Sequence, residues 1–173
     1  MEELWKVALW KQFDAALEMF GNALRACPHE LWTAHMWKDT DMPEGFSDFW
    51  YVAFHTLFWL DLYLFGSVEG FTPPTPYSLV ELDPKGVLPE RVYARQELLI
   101  YLDHCRQKCH STIDLLTDDQ AGQMCYFSWA KDGIRFAELL LDNMRHVQEH
   151  GAQLHMFLGQ QAGVNSRWVG QVK

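Results

Sequence analysis

Between residues 2 and 26 the apolar positions Leu9, Phe13, Ala16, Leu17, Phe20, Ala23 and Leu24 recur every three or four residues, with Lys11, Asp14, Glu18, Asn22 and Arg25 on the other side. That spacing predicts an amphipathic first helix, ended near Pro28. Residues 27–46 hold Pro28, Pro43 and Gly45 and keep no period, so they read as a connection with a short helical turn around "HELWTAH". Ser47 or Asp48 then offers an N-cap for a second helix over about residues 48–65, which falls in the most apolar segment, "FWYVAFHTLFWLDLYLFG" at 49–66. This segment is apolar nearly all round, as expected of a helix surrounded by protein. Gly66 closes it.

Residues 66–89 contain five of the seven prolines, together with Gly70 and Gly86. A connection this long can run the length of a bundle, which would let the third helix lie parallel to the second. The third helix is expected after Pro89, with Leu98, Leu102, Cys105, Cys109, Ile113 and Leu116 in register, and ends at "LTDDQAG". Residues 122–132 read as another connection, and the fourth helix runs from about Gly133 to Leu158. No alternating strand pattern, internal repeat or low-complexity tract is evident. The expected class is all-α, a four-helix bundle over residues 1–160 followed by a Gly- and Gln-rich tail, 161–173.

Composition changes this picture little but excludes some functions. The 173 residues suffice for one core, and 14% are aromatic, eight of them Trp, so aromatics must crowd the interior. With a formal net charge of -9 and no run of Lys or Arg, the chain lacks the footprint of a nucleic-acid binder. The N-terminus alternates charged and apolar residues and does not read as a signal peptide. His55 and Asp61 interrupt the most apolar segment, so a membrane span is not expected. Four Cys without a signal peptide point to reduced thiols in a cytoplasmic setting. The partner expected is a small molecule, with no nucleic acid and no membrane; a homodimer is left open.

The chemistry gathers on histidines. At about 100° per residue, Leu140, Met144, Val147, Gly151, Leu154 and Leu158 form the apolar face of the fourth helix. Leu139, Asn143, His146, His150, Gln153 and Phe157 line its edge, and Glu138, Asp142, Arg145 and Glu149 lie opposite. His146 and His150, one turn apart, can bring two ring nitrogens to one ion. His155 points elsewhere. The strongest candidate for a third ligand is His55, an imidazole in a helix with almost no other polar residue, where an unpaired ring nitrogen would cost about 1–3 kcal/mol. His104 and His110 flank the third helix's stripe and His29 and His35 sit in a connection, which makes each weaker. Tyr51 and Trp59 bracket His55 by one turn on each side and are candidate pocket-lining residues, as is Gln153. Cys105 and Cys109 read as small core residues rather than a metal pair.

The pairing of "FWYVAFHTLFWLDLYLFG" with "NMRHVQEHGAQL" resembles the DinB-like superfamily, a group of metal-binding four-helix bundles, and the resemblance extends over nearly the whole chain through "LWKQFDAALEMF" and "YLDHCRQK". The family pattern of one His in helix two and an H-x-x-x-H pair in helix four, often within "RHVxxHxxQL", falls on His55, His146 and His150. His155 stands where Asn is common in the family and Gly151 where Ala is usual. The resemblance implies a bundle with long crossovers and a divalent metal ion. Three imidazoles suit Zn or Ni first, with Fe or Cu as alternatives.

Such a site keeps coordination positions open, the pattern of a catalytic rather than a structural ion. The Glu that follows the first His of H-E-x-x-H hydrolases is here Val147, and no other acid is placed by the sequence beside the triad. A metal-dependent transferase activating a low-molecular-weight thiol is therefore expected, in keeping with several DinB-like thiol-dependent enzymes. A metal-dependent hydrolase, or a metal-stabilised bundle that binds a ligand without turnover, stands beside it.

Overall fold

In a computed structural model, which describes residues 2–38, 43–165 and 167–172, four long helices form the body of the chain. They are α1 (Glu2–Ala26), α2 (Phe49–Phe65), α3 (Arg95–Asp114) and α5 (Phe136–Ala162); a short α4 (Asp118–Gly122) and a hairpin of β1 (Met124–Phe127) and β2 (Ala130–Arg135) link the last two. The all-α bundle expected from the periodicity is the fold, with this small sheet added. No described helix is long and apolar enough to cross a membrane.

α1 and α2 each pack on both α3 and α5, so α1 faces α2 across one diagonal and α3 faces α5 across the other. Side-chain register gives the directions. Trp50 near the start of α2 meets Tyr93 just ahead of α3, while Asp61 near its end meets Lys108, so these two helices run parallel. Phe49 meets Phe157 and Leu60 meets Asn143, which sets α5 antiparallel to α2. The connection 66–94 is the crossover that a parallel pair requires.

α2 is the buried helix: Phe49 to Phe54, Leu57, Phe58, Leu60 and Leu62 are all in the core. Its start is held in an unexpected way. Asp48 takes the N-cap position, but its carboxylate pairs with Nδ1 of His35 instead of capping the helix. The first free N–H groups are met by backbone carbonyls of the preceding connection, Phe49 on Ala34 at 3.1 Å and Trp50 on Trp32 at 3.0 Å. The turn expected in "HELWTAH" is a 3₁₀ turn at His29–Leu31; part of that connection, residues 39–42, lies outside the described residues. Gly66 ends α2 with φ of 85°, the left-handed cap that favours glycine.

Three boundaries differ from the sequence expectation. α3 begins at Arg95, six residues after Pro89, because tertiary contacts hold the preceding segment extended. Tyr93 is buried among Trp50, Phe54 and Tyr77, and its carbonyl accepts the Trp32 indole N–H at 2.9 Å. "LTDDQAG" follows the end of α3 at Asp114, as expected, but it also holds a further short helix. Thr117 and Gln120 form a capping box that starts α4. Residues 122–132 are not an irregular connection: Cys125 and Phe127 point inward from β1, pairing with Ile134 and Ala130 across the hairpin. α5 accordingly starts at Phe136 rather than Gly133, and it continues to Ala162.

The polar groups inside this core are few and mostly paired. Asp61, whose side chain is 1% exposed, accepts from Lys108 Nζ at 2.6 Å and from the Tyr101 hydroxyl at 3.1 Å. Cys105 and Cys109 are fully buried free thiols in the α3 stripe, with burial pushing both thiol pKa values up.

Candidate metal centre

α2 and α5 face each other where His55 meets the pair His146 and His150. One nitrogen from each ring can be chosen so that all three lie within 4.8 Å of one another. The ring centroids stand 5.5 Å (His55 to His146), 5.2 Å (His55 to His150) and 4.6 Å (His146 to His150) apart, with all three planes steeply tilted. The helical spacing of α5 places two rings on one edge, and the antiparallel register brings the middle of α2 opposite them.

The rings differ in what else they touch. Nδ1 of His150 donates to Oε1 of Gln153 at 2.8 Å, one turn further along α5. His146 has an Nδ1 that is buried and bonded to nothing among the described residues. Burial, with the nearby His150 and His55 adding to it, lowers the His146 pKa to about 2. Burial lowers that of His150 too, partly countered by Gln153. Both rings are therefore neutral at ordinary pH and hold lone pairs, the form in which imidazole binds a metal. An uncommitted buried ring with two further imidazoles within reach makes a donor set that fits a divalent ion.

His55 is tied to a residue that sequence reasoning missed. Its Nδ1 lies 2.7 Å from Oε2 of Glu81, which sits in a 3₁₀ turn, Leu79–Leu82, within the crossover. The same carboxylate accepts from the Tyr51 hydroxyl at 2.6 Å and the Trp59 indole N–H at 3.0 Å, and its side chain is only 4% exposed. Burial alone would raise the Glu81 pKa, but these donors, His55 foremost, outweigh it and hold the carboxyl below its usual range. No periodicity or motif flags a single Glu in a proline-rich connection; the one signal is the donor-bearing stripe Tyr51, His55 and Trp59 on a largely apolar helix.

A cavity of about 340 Å³ opens beside the triad, lined by Trp37, Phe46, Tyr51, Trp59 and Gly86, with His55, His150 and Glu81 among its polar groups. Tyr51 and Trp59 thus line it while holding Glu81. Gln153 is not part of the lining and acts on His150 alone. Across the triad, the Tyr63 ring stands 6.2 Å from that of His146, and burial pushes its phenol up to about 12.

The remaining histidines lie elsewhere. Nε2 of His155 meets the Met19 carbonyl at 2.8 Å and pins α5 to α1. His104 approaches Asp61, His110 packs on Trp10, and His35 pairs with Asp48. A larger cavity of about 410 Å³ near the end of α2, between Phe65, Leu116 and Phe136, contains none of the three clustered histidines. The ammonium on its wall, Lys108, is committed to Asp61.

A sequence model of the DinB superfamily matches residues 12–154, a span that contains all three clustered histidines. No curated protein and no solved structure matches the chain significantly.

Proposed function

The chain belongs to the DinB superfamily, and on that footing we propose that it holds a divalent metal ion, Zn or Ni first, through His55, His146 and His150, and serves as a transferase acting on a low-molecular-weight thiol. The observation that carries the reading is the convergence of the three ring nitrogens within 4.8 Å. When bound, a divalent ion supplies Lewis acidity and favours deprotonation of a thiol or water that reaches it.

The chain's own residues favour a thiol over water. Hydrolysis of the H-E-x-x-H type uses a carboxylate base beside the reacting water, and the acid nearest the triad is unsuited to that role. Glu81 has both oxygens engaged by three donors, and it meets His55 at Nδ1. Glu149 is exposed on the far face of α5. Tyr63 keeps its proton, since its pKa lies near 12. A thiol needs no such base, because its ordinary pKa of about 8.5 is already close to neutrality.

Charge balance agrees. Three neutral imidazoles and one ionised Glu81 carry a single negative charge, so a divalent ion would leave one positive charge, matched by one thiolate. The aromatic wall of Trp37, Phe46, Tyr51 and Trp59 offers flat apolar surface to the second substrate.

The test combines elemental analysis of the purified protein with a screen of glutathione-like, bacillithiol-like and mycothiol-like thiols against a generic electrophile, and of esters and amides without thiol. Thiol-dependent turnover that disappears in His55→Ala is expected. Turnover of esters or amides alone, lost with the metal, would replace the transferase by a hydrolase.

A further inference from the structure

We propose that Glu81 is a positioning residue for His55: it holds the proton on Nδ1, so that Nε2 is the nitrogen presented to His146 and His150, and it thereby makes the α2–α3 crossover part of the centre. This rests on the metal-centre reading above for its consequence, though not for its geometry.

The geometry is of a built arrangement. Tyr51, His55 and Trp59 are spaced i, i+4, i+8 on α2, so they form one stripe along the helix. All three send a donor to the same carboxylate, at 2.6, 2.7 and 3.0 Å. An ionised carboxylate accepts and cannot donate, so the ring nitrogen facing it must carry the proton. The second ring nitrogen is then the one with a free lone pair, and no rotation of the ring keeps the Glu81 bond while reversing the two. Burial of a carboxylate that is 4% exposed is costly unless its lone pairs are met, and Tyr51 and Trp59 meet those that His55 leaves. A carboxylate behind a metal-bound imidazole fixes the tautomer and raises the basicity of the ligating nitrogen.

Glu81 also lies 26 residues from His55 along the chain, in a segment whose only regular structure is its own 3₁₀ turn. The α2 stripe is thus its anchor. Loss of the carboxylate should loosen the turn Leu79–Leu82 as well as free the His55 ring.

The test uses the full chain with Zn²⁺ as the probe, competed against a chelator, and ring ¹⁵N NMR of the metal-free protein at pH 8. In the wild type, His55 should be an Nδ1–H tautomer, and Glu81→Leu should shift it toward Nε2–H. Zn²⁺ affinity should fall roughly tenfold to a hundredfold in Glu81→Leu, and by less in Glu81→Gln, whose amide oxygen still accepts from Nδ1, and in Tyr51→Phe, which removes a donor to Glu81 but leaves the His55 contact. If Glu81→Leu does not fold, the wild-type tautomer still decides. An Nε2–H tautomer in the wild type would overturn the proposal. Equal Zn²⁺ affinity in the wild type and Glu81→Leu would also overturn it while leaving the metal centre intact. A wild type that binds no Zn²⁺ yet shows the Nδ1–H tautomer would uphold the positioning and sink the metal reading instead.

Discussion

His150 and Gln153 form a hydrogen-bonded pair within one turn of α5, the ring Nδ1 donating to the amide oxygen at 2.8 Å. The bond leaves Nε2 of His150 free and fixes the ring plane 4.6 Å, centroid to centroid, from that of His146. Gln153→Leu keeps the side-chain bulk and removes the acceptor. Metal affinity should drop by about tenfold or more, as for other partners of ligating imidazoles, with the helical circular dichroism unchanged. An unaltered affinity would mean that packing alone orients His150.

The depressed pKa of His146 sets a pH dependence for the metal-free chain. Below about 6.5 the unfolded chain takes up a proton at this position, whereas the folded chain, with its pKa near 2, does not. The unfolded state then binds more protons, so stability is fully present above pH 6.5 and declines as pH falls. His150, also lowered, acts in the same direction. The slope should approach roughly 1.4 kcal/mol per pH unit for each fully neutral buried ring. Urea midpoints between pH 7 and pH 5, above most carboxylate titrations, would read it, and His146→Leu should flatten the curve. A wild-type curve already flat over that range would show that His146 protonates in the folded state.

Much of this centre is legible in the sequence because its parts obey helical periodicity. His146 and His150 are one turn apart on a face defined by Leu140, Val147 and Leu154, and His55 stands out as an imidazole in an apolar helix. Glu81 is not legible there, since its place depends on how a 29-residue connection, 66–94, folds back over α2, and no local rule encodes that path. The start of α3 differs from its local signal for a related reason. Pro89 is a sound marker of a first helical turn, but the burial of Tyr93 against Trp50 and Phe54 is a long-range contact that overrides it. The hairpin escapes a periodicity reading because its inward alternation amounts to two residues, Cys125 and Phe127, too few for a period.

Lys108 and Asp61 offer a test of the core apart from the centre. The ammonium reaches the carboxylate at 2.6 Å and the Asp61 carbonyl at 2.9 Å, and it stands 5.5 Å from the ring centroids of Phe65 and Phe71. Lys108→Met preserves the stem and removes the charge. Asp61 would keep the Tyr101 hydroxyl but lose its cation, so a loss of about 3 kcal/mol is expected in urea unfolding. Asp61→Asn combined with Lys108→Met should be less damaging than Lys108→Met alone, because no uncompensated charge then remains. Additive losses in the double variant would show that the pair is not coupled.

Two glycines should respond in opposite ways to the same substitution. Gly151 lies in the interior of α5, next to His150, and a Cβ built there would stand 3.8 Å from the Phe20 Cα and 3.9 Å from its Cβ and Cδ2, ordinary contact distances. Nothing needs to move, and its backbone is helical, so alanine adds helix propensity and restricts the unfolded chain. Gly151→Ala should therefore stabilise by about 1 kcal/mol, a rise of roughly 2–4 °C in Tm for a chain of this size, with metal affinity unchanged. Gly21 sits inside α1, where a Cβ would come within 2.9 Å of Leu102 Cδ2, and Leu102 is fully packed in the core. The same propensity gain there meets an overpacking cost of about 1–3 kcal/mol, so Gly21→Ala should leave stability level or lower it. Thermal unfolding of both variants decides the matter: if Gly151→Ala lowers Tm, α1 and α5 lie closer together than the Phe20 contact distances imply.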